Sequence, residues 1–199
     1  MHIVLCSLFG YLIGNINPAY ILSKLKGFDI REKGSGNAGA SNVTVVMGKK
    51  AGIFTALFDI FKAFFATIIA VHLFPDIEYA KILAGVSCMT GHIFPFLMKF
   101  RGGKGLACLG GVILSFSPAV FLSLLLAELI FALAVDYICV VAPSGAVIFT
   151  LIYACMDGDP TGTSLLIVSS VIIILKHIEN FKRIHNHEET HISFLWKKS

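Results

Sequence analysis

Long apolar runs over 64–74, 82–98, 106–135, 138–156 and 164–175 leave this chain few folds to choose from. A helix crosses the hydrocarbon core with about 20 mostly apolar residues, in a range of ~17–25. Within lipid it also satisfies its own backbone hydrogen bonds, which irregular chain does not. Only 14% of the residues are charged and 56% are hydrophobic, whereas a soluble domain carries roughly 25% charge. The fold class is therefore all-α, a polytopic integral membrane protein.

The stretch 1–22 is apolar but has neither a Lys/Arg n-region nor a small-residue cleavage site. Asn15, Asn17 and Pro18 suit a packed span better than a signal peptide, so a retained first helix is expected. Cys6, Cys88, Cys108, Cys139 and Cys155 are scattered singly. That spacing matches neither a disulfide framework nor a zinc cluster, and they read as small apolar fillers.

Charge orients the chain. Of the 16 Lys and Arg residues, 14 lie in 23–50, 98–105 and 176–199, while the short connections 75–78 and 157–160 are acidic. Basic segments stay on the cytoplasmic side, so the acidic loops face outward. With no basic soluble domain, nucleic-acid binding is excluded. The same map divides 106–135. A single span there would send the basic tail outside, whereas a break near Ser115-Phe116-Ser117-Pro118 satisfies every charged loop.

About seven helices follow, near 2–22, 52–73, 80–98, 106–119, 119–135, 138–156 and 163–177. The N-terminus lies outside and the C-terminus in the cytoplasm. A single membrane-embedded domain over 1–199 is expected, with no internal repeat. Asp59 and Lys62 share one face of the second helix. An intramembrane pair of opposite charge faces the bundle interior, so their role is structural. Glu128 has no such neighbour in sequence.

Three polar segments interrupt the spans, all on the basic side. The first, 31–42, reads R-E-K-G-S-G-N-A-G-A-S-N. Its glycines let successive N–H groups converge on an anion, and Ser35, Asn37 and Asn42 add side-chain donors beside Gly36. The second runs from Gly91-His92 to Gly102-Gly103-Lys104-Gly105. Three glycines close backbone around one ammonium, immediately before an apolar helix whose N-terminus favours phosphate. It is not a Walker A loop. The third places His177, Asn180 and Arg183 three apart, on one helical face, followed by Glu189. Arginine suits bidentate phosphate binding and neutral histidine accepts a proton near pH 7. His185, His187 and His191 lack a completing carboxylate or cysteine set, so no metal is expected and the tail reads as exposed and basic.

In this order and spacing the segments resemble the bacterial glycerol-3-phosphate acyltransferases that use acyl-phosphate as donor, the PlsY-type family. The resemblance runs through Arg31-Glu32-x-Gly34-Ser35-Gly36-Asn37-x-Gly39, Gly91-His92-Ile93-Phe94-Pro95, Gly102-Gly103-Lys104-Gly105 and His177-x-x-Asn180-x-x-Arg183, with Asp59-x-x-Lys62 alongside. It implies transfer of a fatty acyl group from acyl-phosphate to the 1-hydroxyl of sn-glycerol 3-phosphate, giving lysophosphatidic acid for phospholipid synthesis. It also implies seven spans in a bacterial plasma membrane, a cytoplasmic active site, and no cofactor, coenzyme A or metal.

Carried onto this chain, the resemblance makes Ser35, His177 and Asn180 catalytic. Gly36, Asn37, Asn42, His92, Gly102, Gly103, Lys104, Gly105 and Arg183 become substrate-binding, and Glu189 braces the tail. The hydroxyl proton goes to His177 or to a phosphate oxygen of the substrate. Where the family has arginine after the first motif this chain has Val45, and Cys108 replaces a threonine. Tyr137-Ile138-Cys139-Val140-Val141-Ala142 replaces a Tyr-x-Ser-x-x-Ser pattern. The chain thus resembles a divergent member. A non-catalytic paralogue, or an organic-anion binding or transport protein of the same fold, is the alternative.

Overall fold

The computed structural model describes residues 1–156 and 158–195, so Asp157 of the acidic loop and Lys197 and Lys198 of the basic tail lie outside the described residues. The helices group into two compact units, Met1–Phe116 and Ser117–Ser199.

The first unit holds α1 (His2–Gly14), α2 (Pro18–Leu25), α3 (Ala40–Met47), α4 (Lys49–Leu73), α5 (Ala80–Ile93) and α6 (Leu106–Phe116). In lipid there is little hydrophobic drive between helices, so close packing needs small residues. Gly10 and Gly14 of α1 supply them against α5. A side chain at Gly10 would run into the Ala84 carbonyl, and one at Gly14 into the Cys88 carbonyl. Gly111 of α6 lies likewise against the Ile60 carbonyl of α4. Along α4 the buried positions include Thr55, Asp59, Lys62, Ala63, Ala66 and Ala70, while Ile53, Phe54, Leu57, Phe61 and Phe65 are exposed. That 3–4 spacing gives one packed face and one face for lipid.

Two expectations change here. The first helix, expected to be continuous over 2–22, breaks between Gly14 and Pro18. Asn17 turns extended, accepts the Tyr20 N–H at 2.8 Å and starts α2 with Pro18 at its first position. Proline costs nothing there because that N–H has no helical partner. The polar segment 31–42 also ends as helix, since α3 begins at Ala40 and carries Asn42.

The break expected within 106–135 falls at Ser117, whose hydroxyl caps α7 (Pro118–Val135) by accepting the Val120 N–H at 3.3 Å. Among the described residues, six helical stretches are long and apolar enough to cross a membrane, and α6 is shorter. Its 11 residues span only about 16 Å at ~1.5 Å per residue. Cys108, Leu109, Gly111, Val112, Ile113 and Ser115 of α6 are buried, so protein encloses much of this short element.

The second unit adds α8 (Val141–Met156) and α9 (Pro160–His185) to α7. Asp159 caps α9 through the Thr161 and Gly162 N–H groups. The α8–α9 interface carries Thr150 Oγ1 and Ser170 Oγ at 3.0 Å. Glu128 of α7 finds its partner across helices: Ser144 Oγ lies 2.8 Å from Oε2. The tail returns to the α7–α8 turn, where the Asp136 carboxylate accepts the Ser193 N–H at 2.8 Å, its hydroxyl at 2.9 Å and His191 Nδ1 at 3.1 Å. His191 is therefore anchored rather than loose. Hydrogen bonds from Ser193 and the nearby His191 hold the Asp136 carboxyl below its ordinary pKa against the cost of desolvation.

Candidate active site

Asn42 organises the first polar loop from beneath. Its Oδ1 accepts the Ser35 N–H at 2.9 Å, and its Nδ2 faces the carbonyls of Ile30, Lys33 and Asn37 at 3.0–3.1 Å. The side chain is buried, and a side chain at Gly34, where φ is +58°, would collide with its Oδ1. A left-handed glycine lets the chain curl over the amide. Expected to touch substrate, Asn42 instead directs its amide into the loop, leaving exposed Ser35 and half-buried Asn37 toward the outside.

Asn17 ties the same loop to the helix break through Nδ2 and the Ala38 carbonyl at 3.0 Å. Sequence reading had not assigned Asn17 to the site, although Asn-Pro is a helix-start signal. Arg31 then links this segment to the second. It pairs with Asp29 through Nε and Nη2 at 2.9 and 2.7 Å and donates from Nη1 to the Met98 carbonyl at 2.7 Å. Met98 also packs in one buried cluster with Ala19, Ile30, Ala38 and Val43. The Arg31 hydrogen bonds, with help from Lys24, hold the Asp29 carboxyl far below the usual carboxylate range, and Asp29 in turn raises Arg31.

The second loop lies on the end of α5. The Gly102 and Gly103 N–H groups donate to the carbonyls of Ile93 and His92 at 3.1 and 3.0 Å. A side chain at Gly103 would land on the His92 imidazole, and one at Gly102 on the His92 carbonyl. Gly105, at φ +91°, turns the chain into α6 and accepts the Leu109 N–H at 2.8 Å. Lys104 thus stands immediately before a helix N-terminus, where backbone dipoles favour an anion.

His92, expected to bind substrate, is buried under this loop. Its Nδ1 lies 3.1 Å from Lys62 Nζ and 3.4 Å from Asp59 Oδ1, and Lys62 reaches Asp59 at 2.6 Å. Donor atoms of Asp59, His92 and Cys108 all fall within 4.8 Å of one another, a set able to hold a metal ion. The Lys62 ammonium already supplies a cation beside Asp59 and His92 of that set.

In the second unit His177 and Asn180 are buried on one face of α9, with Arg183 half-buried below them. His177 Nδ1 lies 2.8 Å from the Ile173 carbonyl. A carbonyl only accepts, so Nδ1 carries the proton and Nε2 is the basic nitrogen of the neutral ring. Glu189 accepts from Arg183 Nε at 2.8 Å, fixing the guanidinium against the start of the tail. Of the departures, Val45 is exposed on α3, while Cys108 and Ala142 are fully buried.

A chain that crosses the membrane repeatedly, with glycine-rich loops and buried polar side chains at its helix ends, is an integral membrane protein. It belongs to the glycerol-3-phosphate acyltransferase family, whose model matches residues 4–187. The Bacillus subtilis (strain 168) glycerol-3-phosphate acyltransferase is 36% identical over 196 residues, covering 98% of this chain and 100% of that protein. The Aquifex aeolicus glycerol-3-phosphate acyltransferase is 36% identical over 178 residues, covering 89% and 92%. The crystal structure of PlsY, an integral membrane glycerol 3-phosphate acyltransferase, in its glycerol 3-phosphate form gives a TM-score of 0.89 at 31% identity, covering 99% of this chain and all of that one. Its lysophosphatidic acid form gives 0.83 at 32%, covering 96% and 95%.

Proposed function

We propose that this chain moves a fatty acyl group from acyl-phosphate to the 1-hydroxyl of sn-glycerol 3-phosphate, releasing lysophosphatidic acid and phosphate on the cytoplasmic side of a bacterial plasma membrane. The observation carrying this reading is the Arg31–Met98 bond, which ties the chain segment leading into Ser35–Asn37 to the segment leading into Gly102–Lys104. Two phosphates must be handled, the donor's and the acceptor's, and the two segments supply the polar side chains of Ser35, Asn37 and Lys104, the last just before the N-terminus of α6. The basic segments at 23–50, 98–105 and 176–199 support the cytoplasmic assignment.

In the proposed step the acceptor hydroxyl oxygen attacks the acyl carbon, and the bond from that carbon to the phosphate oxygen breaks. The hydroxyl proton passes to His177 Nε2, whose ring is held in the required tautomer by Ile173. An acyl-phosphate is a mixed anhydride with a good leaving group, so positioning and charge stabilisation supply most of the rate. Lys104 and the glycine loop hold glycerol 3-phosphate, Ser35 and Asn37 donate to phosphate oxygens, and Asn180 and Arg183 orient the reacting groups. No serine nucleophile is needed.

The test is product formation by purified protein in lipid, given palmitoyl-phosphate and radiolabelled glycerol 3-phosphate without coenzyme A. Lysophosphatidic acid is the expected product. Folded protein that makes none, beside an active family member, overturns the assignment and makes Val45, Cys108 and Ala142 the reason.

A further inference from the structure

Lys62 satisfies carbonyls that the break between α1 and α2 leaves over. The helical partner of the Gly14 carbonyl would be the N–H of residue 18, which is proline. The partner of the Ile16 carbonyl would be the Tyr20 N–H, which Asn17 takes. Lys62 Nζ donates to both carbonyls, at 3.2 and 2.7 Å. The same ammonium meets Asp59 on α4 and His92 on α5. One buried cation therefore pins three elements at a common point.

His92 is the outward end of that cluster. Its carbonyl and that of Ile93 receive the Gly103 and Gly102 amides, and its imidazole lies directly beneath the Gly103 α-carbon. Asp59 is 1% exposed, His92 3% and Lys62 7%, so the ring has no room for another rotamer. Stability alone is a weak reason for such a cluster. A buried ion pair is often replaceable by apolar residues without loss, whereas fixed geometry is what its directional bonds supply.

We propose that Asp59, Lys62 and His92 are positioning residues for the phosphate-binding loop: the cluster locks the His92 ring, and His92 holds the Gly102–Lys104 backbone in the shape that receives the glycerol 3-phosphate phosphate. The inference rests on the reading of that loop given above. Preorganised backbone loses no ordering entropy on binding, so loosening it weakens acceptor binding selectively.

The experiment uses the full chain in lipid nanodiscs. A single neutralisation strands a buried charge, so the main variant is the double Asp59→Asn/Lys62→Met. His92→Asn is the second variant, keeping a polar atom near the Nδ1 position while removing the ring beneath Gly103. Folding is checked by melting temperature. The expected result in either folded variant is a KM for glycerol 3-phosphate raised about tenfold, with the KM for palmitoyl-phosphate unchanged. Amide exchange over 99–106 accelerates in parallel. A purely structural cluster predicts folded variants with parental KM and parental loop exchange, and that result overturns the proposal. If the parent protein does not turn over glycerol 3-phosphate, the functional reading fails by itself. Loop exchange in the variants then decides the positioning role alone.

Discussion

The Arg31 guanidinium donates to the Met98 carbonyl at 2.7 Å, across 67 residues of chain. Its other nitrogens are committed to Asp29 and its plane lies over the Tyr20 ring, 5.0 Å from the centroid. Arg31 is thus a joint between the two polar segments of the first unit, and several consequences for behaviour rest on such joints.

Asp29 keeps Arg31 in place, so Asp29→Asn lowers the melting temperature at neutral pH, corresponding to about 1.5–3 kcal/mol for a charge-assisted bond. The sign of its pH dependence follows from the depressed carboxyl. The contribution is complete above the unfolded pKa of about 4 and is lost as pH falls toward the folded value. Melting curves of parent and variant should therefore converge as pH drops below about 4, and a gap that widens there contradicts the assignment.

Asn42 serves four backbone groups with one amide. Asn42→Ala leaves buried polar groups unpaired, at a cost of about 1–3 kcal/mol each where no water replaces the amide. Asn42→Asp keeps the acceptor for Ser35 but sets a carboxylate oxygen against three carbonyls. Thermal melts should show a lower melting temperature in both variants, with the aspartate variant no better than the alanine one.

His177→Asn retains a donor for the Ile173 carbonyl and removes the basic nitrogen. A general base contributes roughly 10²–10⁴-fold in rate. Steady-state kinetics should show kcat reduced by at least about 10²-fold, with little change in KM for either substrate. Near-parental kcat would assign the proton to a substrate phosphate oxygen instead.

Val45 is 52% exposed on α3, so a longer side chain fits without repacking the interior. Val45→Arg adds a cation on the element that follows the Ser35–Asn37 loop. The expected effect is a rise in kcat/KM for glycerol 3-phosphate of about tenfold, the scale of one added charge-assisted phosphate bond. No rise would show that other groups already carry that charge.

Length and composition by themselves determined the membrane class. A backbone in lipid must bond within its own segment, so apolar runs near 20 residues read directly as helices. The break near Ser115–Pro118 was legible from charge, since a single span over 106–135 would send the basic tail outside, and the structure places it at the Ser117 cap. The break at Asn15–Asn17 carried cap and proline signals, yet apolar flanks on both sides made one continuous span the simpler reading.

What the tertiary structure decided was the partner of each polar group. Lys62 bonds to carbonyls 46 and 48 residues away, and His191 lies against Asp136 across 55. Asn42, expected to contact substrate, turned out to shape the loop, and His92 to lie beneath the glycines. A sequence displays donors and acceptors, and through its charged loops the side of the membrane expected for each. In lipid each must find its partner inside the protein, and only the packing of helices through Gly10, Gly14 and Gly111 determines which acceptor is near enough.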